Sequence, residues 1–345
     1  MKDFYNETIE SLTEIMIENG FKAFNARQLF EWVYRHKIND VAQMSNISKK
    51  LSAFVESYFY FSTIELLTKQ VAKDQTKKYL FQLSDKQAIE SVLMHHEYGK
   101  SLCITTQLGC NIGCSFCASG LQKKIRNLTI AEMMHQVLMV ESIENIRVTH
   151  VVLMGIGEPF DNFDNSMGFL DNINSPYGLA IGARHITVST SGIPSKIRAF
   201  ADLNKQINLA ISLHAPNDQL RTKLMKINAT YPLSELIDSV KYYIDKTNRR
   251  ITFEYLLLEG INDEMHHANA LSDLVRGINC YVNLIRYNTV KELPYKGSSE
   301  DRATAFYMQL LKRGIQATLR KEKGGDIDAA CGQLRAKNKK KEGIS

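Results

Sequence analysis

No stretch of this chain comes near the roughly 20 consecutive apolar residues that a membrane-spanning helix needs, and the opening Met1-Lys2-Asp3-Phe4-Tyr5-Asn6-Glu7 lacks the apolar centre of a signal peptide. The expectation is a cytoplasmic protein with no membrane contact. Internal repeats and low-complexity linkers are also missing, which argues against a solenoid or a tethered array. Charge of one sign is scarce: 43 Lys and Arg against 37 Asp and Glu leave +6, which permits a polyanionic partner without requiring one. Arg335, Lys337, Lys339, Lys340 and Lys341 crowd the C-terminal tail, and Lys123, Lys124 and Arg126 follow a cysteine cluster. Either run alone reads equally well as a solvated surface.

With 345 residues, 44% of them apolar, the chain can bury one large core and a smaller companion. Over residues 1–63 the apolar positions Ala26, Leu29, Phe30 and Val33 recur at helical spacing, predicting a small helical accessory domain. Residues 64–97 form a linking segment. Within it, alternating runs at 79–83 and 89–94 are parted by Ser84-Asp85-Lys86, which predicts a β-hairpin. From 98 to 320, short β-branched runs alternate with helical patterns, the signature of a parallel α/β architecture. Strands are expected near 101–106, 148–154, 184–190, 207–213, 251–258 and 280–286, with a seventh near 315–320. A capping box at Thr129 and Glu132 should start the helix after the cysteine cluster. Residues 321–345 hold a lone cysteine and the basic tail.

Most of these strands end in polar or small residues: Gly155-Ile156-Gly157-Glu158-Pro159, Ser189-Thr190-Ser191-Gly192, Ser212-Leu213-His214 and Arg286-Tyr287-Asn288. In barrel-like β/α folds the C-terminal strand ends share one face, which hosts the active site. Taken singly, each of these residues is as readily a cap or a turn.

Six cysteines in such a chain point to metal or redox chemistry and away from a disulfide framework. Cys110, Cys114 and Cys117 offer three soft thiolates on one short loop, suited to an iron-sulfur cluster or zinc. Three protein ligands leave one iron of a 4Fe-4S cluster open. The spacing, with Phe116 before the third cysteine, resembles the signature of the radical S-adenosylmethionine (SAM) superfamily. That resemblance implies a partial (β/α)6, TIM-like barrel, a 4Fe-4S cluster, and SAM chelated at the open iron. It also implies cofactor contacts from Gly157, Glu158, Ser189, Ser212, Leu213, His214 and Asn288.

Cys331 lies in the small-residue segment Gly325-Asp326-Ile327-Asp328-Ala329-Ala330-Cys331-Gly332-Gln333-Leu334, where a thiol is accessible, whereas Cys280 opens an apolar strand and reads as structural. Together with Arg184-His185-Ile186-Thr187-Val188-Ser189-Thr190-Ser191-Gly192 and Ser212-Leu213-His214-Ala215-Pro216-Asn217-Asp218, these motifs resemble the RlmN/Cfr family of radical RNA methyltransferases over nearly the whole chain. The resemblance implies that Cys331 carries a methyl group between two SAM molecules, that Glu90 removes the ring proton, and that Cys103 releases the product by pairing with Cys331. It implies 23S rRNA and tRNA as substrates, an electron donor such as flavodoxin, and a monomer. Pro159, Ser191 and Ala215-Pro216-Asn217-Asp218 resemble the members that methylate carbon 2 of adenosine; Arg286-Tyr287-Asn288 resembles the members that methylate carbon 8 and confer antibiotic resistance. A zinc or iron-sulfur RNA-binding module without catalysis is the competing reading from another class.

Overall fold

The computed structural model describes residues 1–320 and 323–334. Its helices α1 (Ile9–Glu18), α2 (Ala23–Phe30) and α3 (Lys49–Tyr58) form the expected N-terminal unit. Ala26, Leu29, Phe30 and Val33 are all buried, around an aromatic nest of Phe4, Phe30, Tyr34, Phe59 and Phe61. Asn6 and Glu7 then tie this unit to the barrel helices, the first accepting from Ala131 N and the second from Asn172 Nδ2.

Ten strands follow in one sheet whose spatial order is the order of the chain: β1 (Glu65–Val71), β2 (Lys77–Gln82), β3 (Ala88–His96), β4 (Gly99–Cys103), β5 (His150–Leu153), β6 (Ile186–Thr190), β7 (Asn208–Ser212), β8 (Ile251–Leu257), β9 (Cys280–Arg286) and β10 (Ala317–Arg320). β1 to β4 pair antiparallel and β4 to β10 parallel, so the expected hairpin (β2–β3) is continuous with the barrel sheet. The turn at residues 97–98 joins two neighbours in that sheet. β1 is an addition to the expected elements. Its residues are mostly exposed, so it carries no apolar alternation by which to be read.

Helices α4 (Ile130–Glu144), α5 (Phe163–Asn174), α6 (Pro194–Asp202), α7 (Asp218–Leu224), α8 (Leu233–Thr247), α9 (Met265–Val275) and α10 (Glu300–Lys312) connect the parallel strands. The result is the partial (β/α)6 barrel with a seventh parallel strand; β10 and β4 are not paired, so the barrel stays open. α4 begins at the capping box, Thr129 N donating to Glu132 and Glu132 N to Thr129, and buries Met133, Met134, Val137 and Val140. No described helix is long and apolar enough to cross a membrane.

One imidazole makes the join to the N-terminal unit sensitive to acid. His135 on α4 lies within hydrogen-bond distance of Ser62 Oγ at 2.9 Å and packs on Tyr5, and burial pushes its pKa down to about 4. The unfolded ring takes a proton near 6.5, so between those values the unfolded state binds a proton that the folded state refuses. Stability should fall through that window by on the order of 3 kcal/mol and lose nothing more from this group below it. In urea titrations from pH 7 to pH 4.5, His135→Gln should show a shallower acid loss than the parent; parallel curves would refute the assignment.

Candidate active site

A short two-stranded ribbon, Gln107–Leu108 against Arg126–Asn127, projects the cysteine loop from the end of β4. Gly109 sits at φ +76, and a Cβ there would lie 2.3 Å from Lys123 O, so the ribbon closes only with glycine. The loop then docks on α7: Cys114 bridges to Met225, and Ser115 N donates to Leu224 O at 2.9 Å. Tyr287 Oη donates to Phe116 O, while the Phe116 ring meets His214 edge-on at 5.0 Å.

Cys110, Cys114 and Cys117 line a cavity of about 910 Å³, counting its open mouth. Burial is the first cause raising all three thiols, Cys110 to about 12, and the neighbouring thiols raise Cys110 and Cys114 further. Without metal these sulfurs are therefore protonated; a bound cation is what makes three thiolates tenable here. Among the described residues, no three His, Cys, Asp or Glu side chains are grouped as a single metal ion needs. Three soft sulfurs on one loop that line one cavity are the donor type and number that a cluster with one open iron takes.

The opposite wall comes from the strand ends. Gly157, Glu158, Ser189, Ser212 and His214 all line the cavity, together with Thr190 and Ser191. Gly155 N donates to Ile104 O, and a Cβ on Gly155 would lie 2.5 Å from that oxygen; Gly157 has φ +108 against Gln107. The Glu158 carboxylate accepts from Ser191 N at 2.7 Å and Phe160 N at 3.0 Å, although burial raises its pKa. His214, at φ 56, is kept neutral by burial and then by Arg221, its pKa driven down to about 3. Its Nδ1 accepts from Leu256 N.

Two expected cofactor contacts are not in this wall. Leu213 lies in the core, because side chains alternate and its neighbours Ser212 and His214 take the cavity side; its carbonyl accepts from Arg221 and Ala215 N, and its N–H donates to Glu254 O. Asn288 lies past the end of β9 and lines a second, smaller cavity of about 570 Å³.

That second cavity also holds Val92, Cys103, Arg320 and Cys331. Cys331 belongs to both cavities, as does Arg320, whose Nη1 is 4.0 Å from Cys331 Sγ. The segment carrying Cys331 is fastened to the cysteine loop by Ala118 N donating to Gly332 O at 2.8 Å and Ser119 Oγ donating to Leu334 O at 2.8 Å. On its other side it meets the β1–β2 turn, where Gly324 N donates to Asp74 and Lys73 N to Asp326. Cys103 is a buried thiol, raised to about 12 by burial first and by Cys331 second. All the described cysteines are free thiols. Glu90 lies on the same face of β3 as Val92 and Met94, buried, 3.5 Å from Lys78 Nζ, but it lines neither cavity.

The sequence alone does not reveal Glu254, Arg320 or Arg221. Glu254 and Arg320 line the large cavity, the former from mid-β8 and the latter from the end of β10. Their signals are a single carboxylate inside the apolar run Ile251–Leu257 and a charge at a strand end. Of the basic run after the cysteines, Arg126 is committed to Asp85 and Glu132, and Lys124 to Asp161; Lys123 is exposed. The residues from Arg335 onward, including the basic tail, lie outside the described residues.

Over residues 104–271 the chain matches the Radical SAM superfamily, and over residues 2–59 the ribosomal RNA large subunit methyltransferase N-terminal domain. It is 51% identical over 334 residues to the probable dual-specificity RNA methyltransferase RlmN of Acholeplasma laidlawii (strain PG-8A), covering 97% of this chain and 99% of that relative. It is 50% identical over 345 residues to the protein of the same name from Geobacillus kaustophilus (strain HTA426), covering 99% and 94%. A crystal structure of a radical SAM methyltransferase from Sphaerobacter thermophilus superposes with a TM-score of 0.90 at 40% identity, over 98% of this chain and 100% of that one. Superfamily membership implies a 4Fe-4S cluster and SAM. With half its residues shared across nearly its full length, and with both domains matched, the chain belongs to the RlmN family of SAM-dependent radical RNA methyltransferases.

Proposed function

We propose that this enzyme methylates carbon 2 of an adenosine in 23S rRNA and of the adenosine beside the anticodon in tRNAs, by way of a methyl group carried on Cys331. The observation that carries the reading is the position of Cys331 in the walls of both cavities, one lined by Cys110, Cys114 and Cys117 and the other by Cys103. Carbon 2 of adenine is electron-poor and the SAM methyl is itself an electrophile, so direct transfer between them is unfavourable. A sulfur intermediary resolves the mismatch.

Cys110, Cys114 and Cys117 would hold the cluster, and Gly157, Glu158, Ser189, Ser212 and His214 the SAM. When bound, the pair supplies a carbon-centred adenosyl radical that can abstract hydrogen. Cys331 accepts the methyl from one SAM, its sulfur displacing the sulfonium, and the S-methyl group then gives up a hydrogen atom to that radical. The resulting S-methylene carbon bonds to carbon 2, tethering enzyme to RNA. The adduct holds one unpaired electron, which would return to the metal centre that supplied it, while Glu90 removes the ring proton; this requires Glu90 to move from Lys78 toward the small cavity. Cys103 then attacks the Cys331 sulfur; the sulfur–carbon bond breaks as the sulfur–sulfur bond forms, the carbon takes a proton, and later reduction restores both thiols. The target base must be unstacked to reach this depth.

Mass spectrometry of RNA from a strain lacking the gene tests the regiochemistry. Loss of 2-methyladenosine from both 23S rRNA and tRNA is expected, whereas loss of 8-methyladenosine would overturn the reading. Two substitutions test the division of labour. Cys103→Ala should accumulate a covalent enzyme–RNA species that survives a denaturing gel, with turnover lost. Glu90→Gln should slow turnover by about 10²–10⁴-fold, the usual range for removing a general base, while methyl loading of Cys331 continues at the parent rate.

A further inference from the structure

Met154, Ile285, Arg320 and Cys331 line both cavities, and Arg320 is the charged one of these. It ends β10 in register with Ile285 of β9, and its side chain turns to the barrel interior. Cys331 comes from the following segment, which is held separately through Gly332 O, Leu334 O and Gln333. Two independently anchored pieces of chain therefore bring the guanidinium to the sulfur, with Nη1 4.0 Å from Cys331 Sγ and Nη2 4.0 Å from Met94 Sδ.

A guanidinium offers five N–H donors in a fork that suits oxygen acceptors. Among the described residues, Arg320 instead meets these two sulfurs, with no carboxylate at ion-pair distance. A neutral thiol and a thioether are weak acceptors, so neither calls for an arginine. A thiolate does. Lys323, the other cation lining the small cavity, is turned away, its Nζ donating to His95 O. The remaining titratable groups around the pair are Glu254 from β8, held by Asn283 Nδ2 at 2.8 Å, Cys103 from β4, His96 and Tyr98 at and beyond the end of β3, and the cysteine loop with Glu158 and His214 across the large cavity. Cys331 is the foremost of the groups that favour the charged form of Arg320, ahead of Glu254 and Cys103.

We propose that Arg320 is the positioning residue of methyl acceptance: its guanidinium holds the Cys331 sulfur as the anion that attacks the SAM methyl, and releases it once the sulfur is a neutral thioether. This rests on the reading of Cys331 as the methyl carrier. The thiol proton leaves to solvent and the sulfur lone pair forms the new sulfur–carbon bond. The methyl–sulfonium bond breaks with its electron pair staying on the departing sulfur, so no outside oxidant or reductant takes part. Arg320 keeps its charge throughout.

The test follows two reagents at Cys331 in the full-length, iron-loaded enzyme without RNA, by mass spectrometry of the peptide that carries it, from pH 7 to pH 9.5. Isotope-labelled SAM reports methyl loading; iodoacetamide, which needs no cofactor, reports the sulfur directly. A free thiol ionises near about 8.5, so only a small fraction is anionic at pH 7 and most of it at pH 9.5. Over this range His96 stays neutral and Cys103 protonated, burial lowering the first and raising the second to about 12. Arg320→Gln should slow both reagents about tenfold at pH 7, and the deficit should close toward pH 9.5. Arg320→Lys should recover most of the loss at pH 7. An equal deficit at every pH, a lysine variant no better than glutamine, or iodoacetamide reacting at the parent rate at pH 7 each overturns the proposal. Parent-rate loading with weakened RNA binding overturns it too, making Arg320 an RNA contact. Label that reaches RNA without appearing on Cys331 of the parent would instead refute the carrier reading, whatever Arg320 does.

Discussion

Cys331→Ala is expected to keep its iron and lose its product: methyl transfer to RNA should fall by on the order of 10⁴-fold or more, as when a covalent nucleophile is removed. The separation is possible because the three sulfurs assigned to the cluster are supplied elsewhere, by the loop docked on α7. The segment around Cys331 is held by the carbonyls of Gly332 and Leu334 and by Gln333 Nε2 donating to Thr289 O, none of which involves the thiol. Iron analysis together with transfer of labelled methyl from SAM to RNA checks both halves. Product formation at the parent rate would sink the sulfur-carrier mechanism, and parallel loss of iron would mean that Cys331 belongs to the metal site.

Gly155→Ala should be strongly damaging, although it adds only one methyl group. Its Cβ would lie 2.5 Å from Ile104 O, 2.7 Å from Ile104 C and 2.8 Å from Thr105 N, all backbone atoms that no rotamer change can move aside. The strand end after β4 and the turn after β5 must separate, at a cost of about 2–4 kcal/mol, the upper range for overpacking. Glu158 rides on the displaced turn, so its bond to Ser191 N should stretch and SAM affinity should drop with stability. Scanning calorimetry and SAM binding by calorimetry should show both losses together. By contrast Gly182, which has open space around its Cβ position, should accept alanine silently.

Much of the barrel is legible because its strands are short, apolar and β-branched, and because their polar ends break that pattern abruptly. The same rule places Gly157, Glu158, Ser189, Ser212 and His214 in one cavity. It fails at Leu213, where a motif read as a block hides the alternation that turns every second side chain inward. Asn288 escapes it differently: beyond β9 the chain turns toward the smaller cavity, and no periodicity records that turn. β1 is silent because a mostly exposed strand has no apolar face to display. Arg221 could not be anticipated at all, since an arginine on a short polar helix reads as a solvent-facing residue, and its burial is decided by distant strand ends. Glu254 and Arg320 carry weak local marks whose meaning emerges only when β8, β9 and β10 lie side by side and both side chains line one cavity with Cys331.

The segment 323–334 rests on surfaces built by earlier parts of the chain: the cysteine loop at Ala118 and Ser119, the β1–β2 turn at Asp74, and Thr289 after β9. Because a ribosome releases the chain from its N-terminus onward, the residues that build those surfaces are synthesised before Cys331. The segment that brings Cys331 to both cavities therefore has nothing to settle on until the earlier parts of the fold have formed.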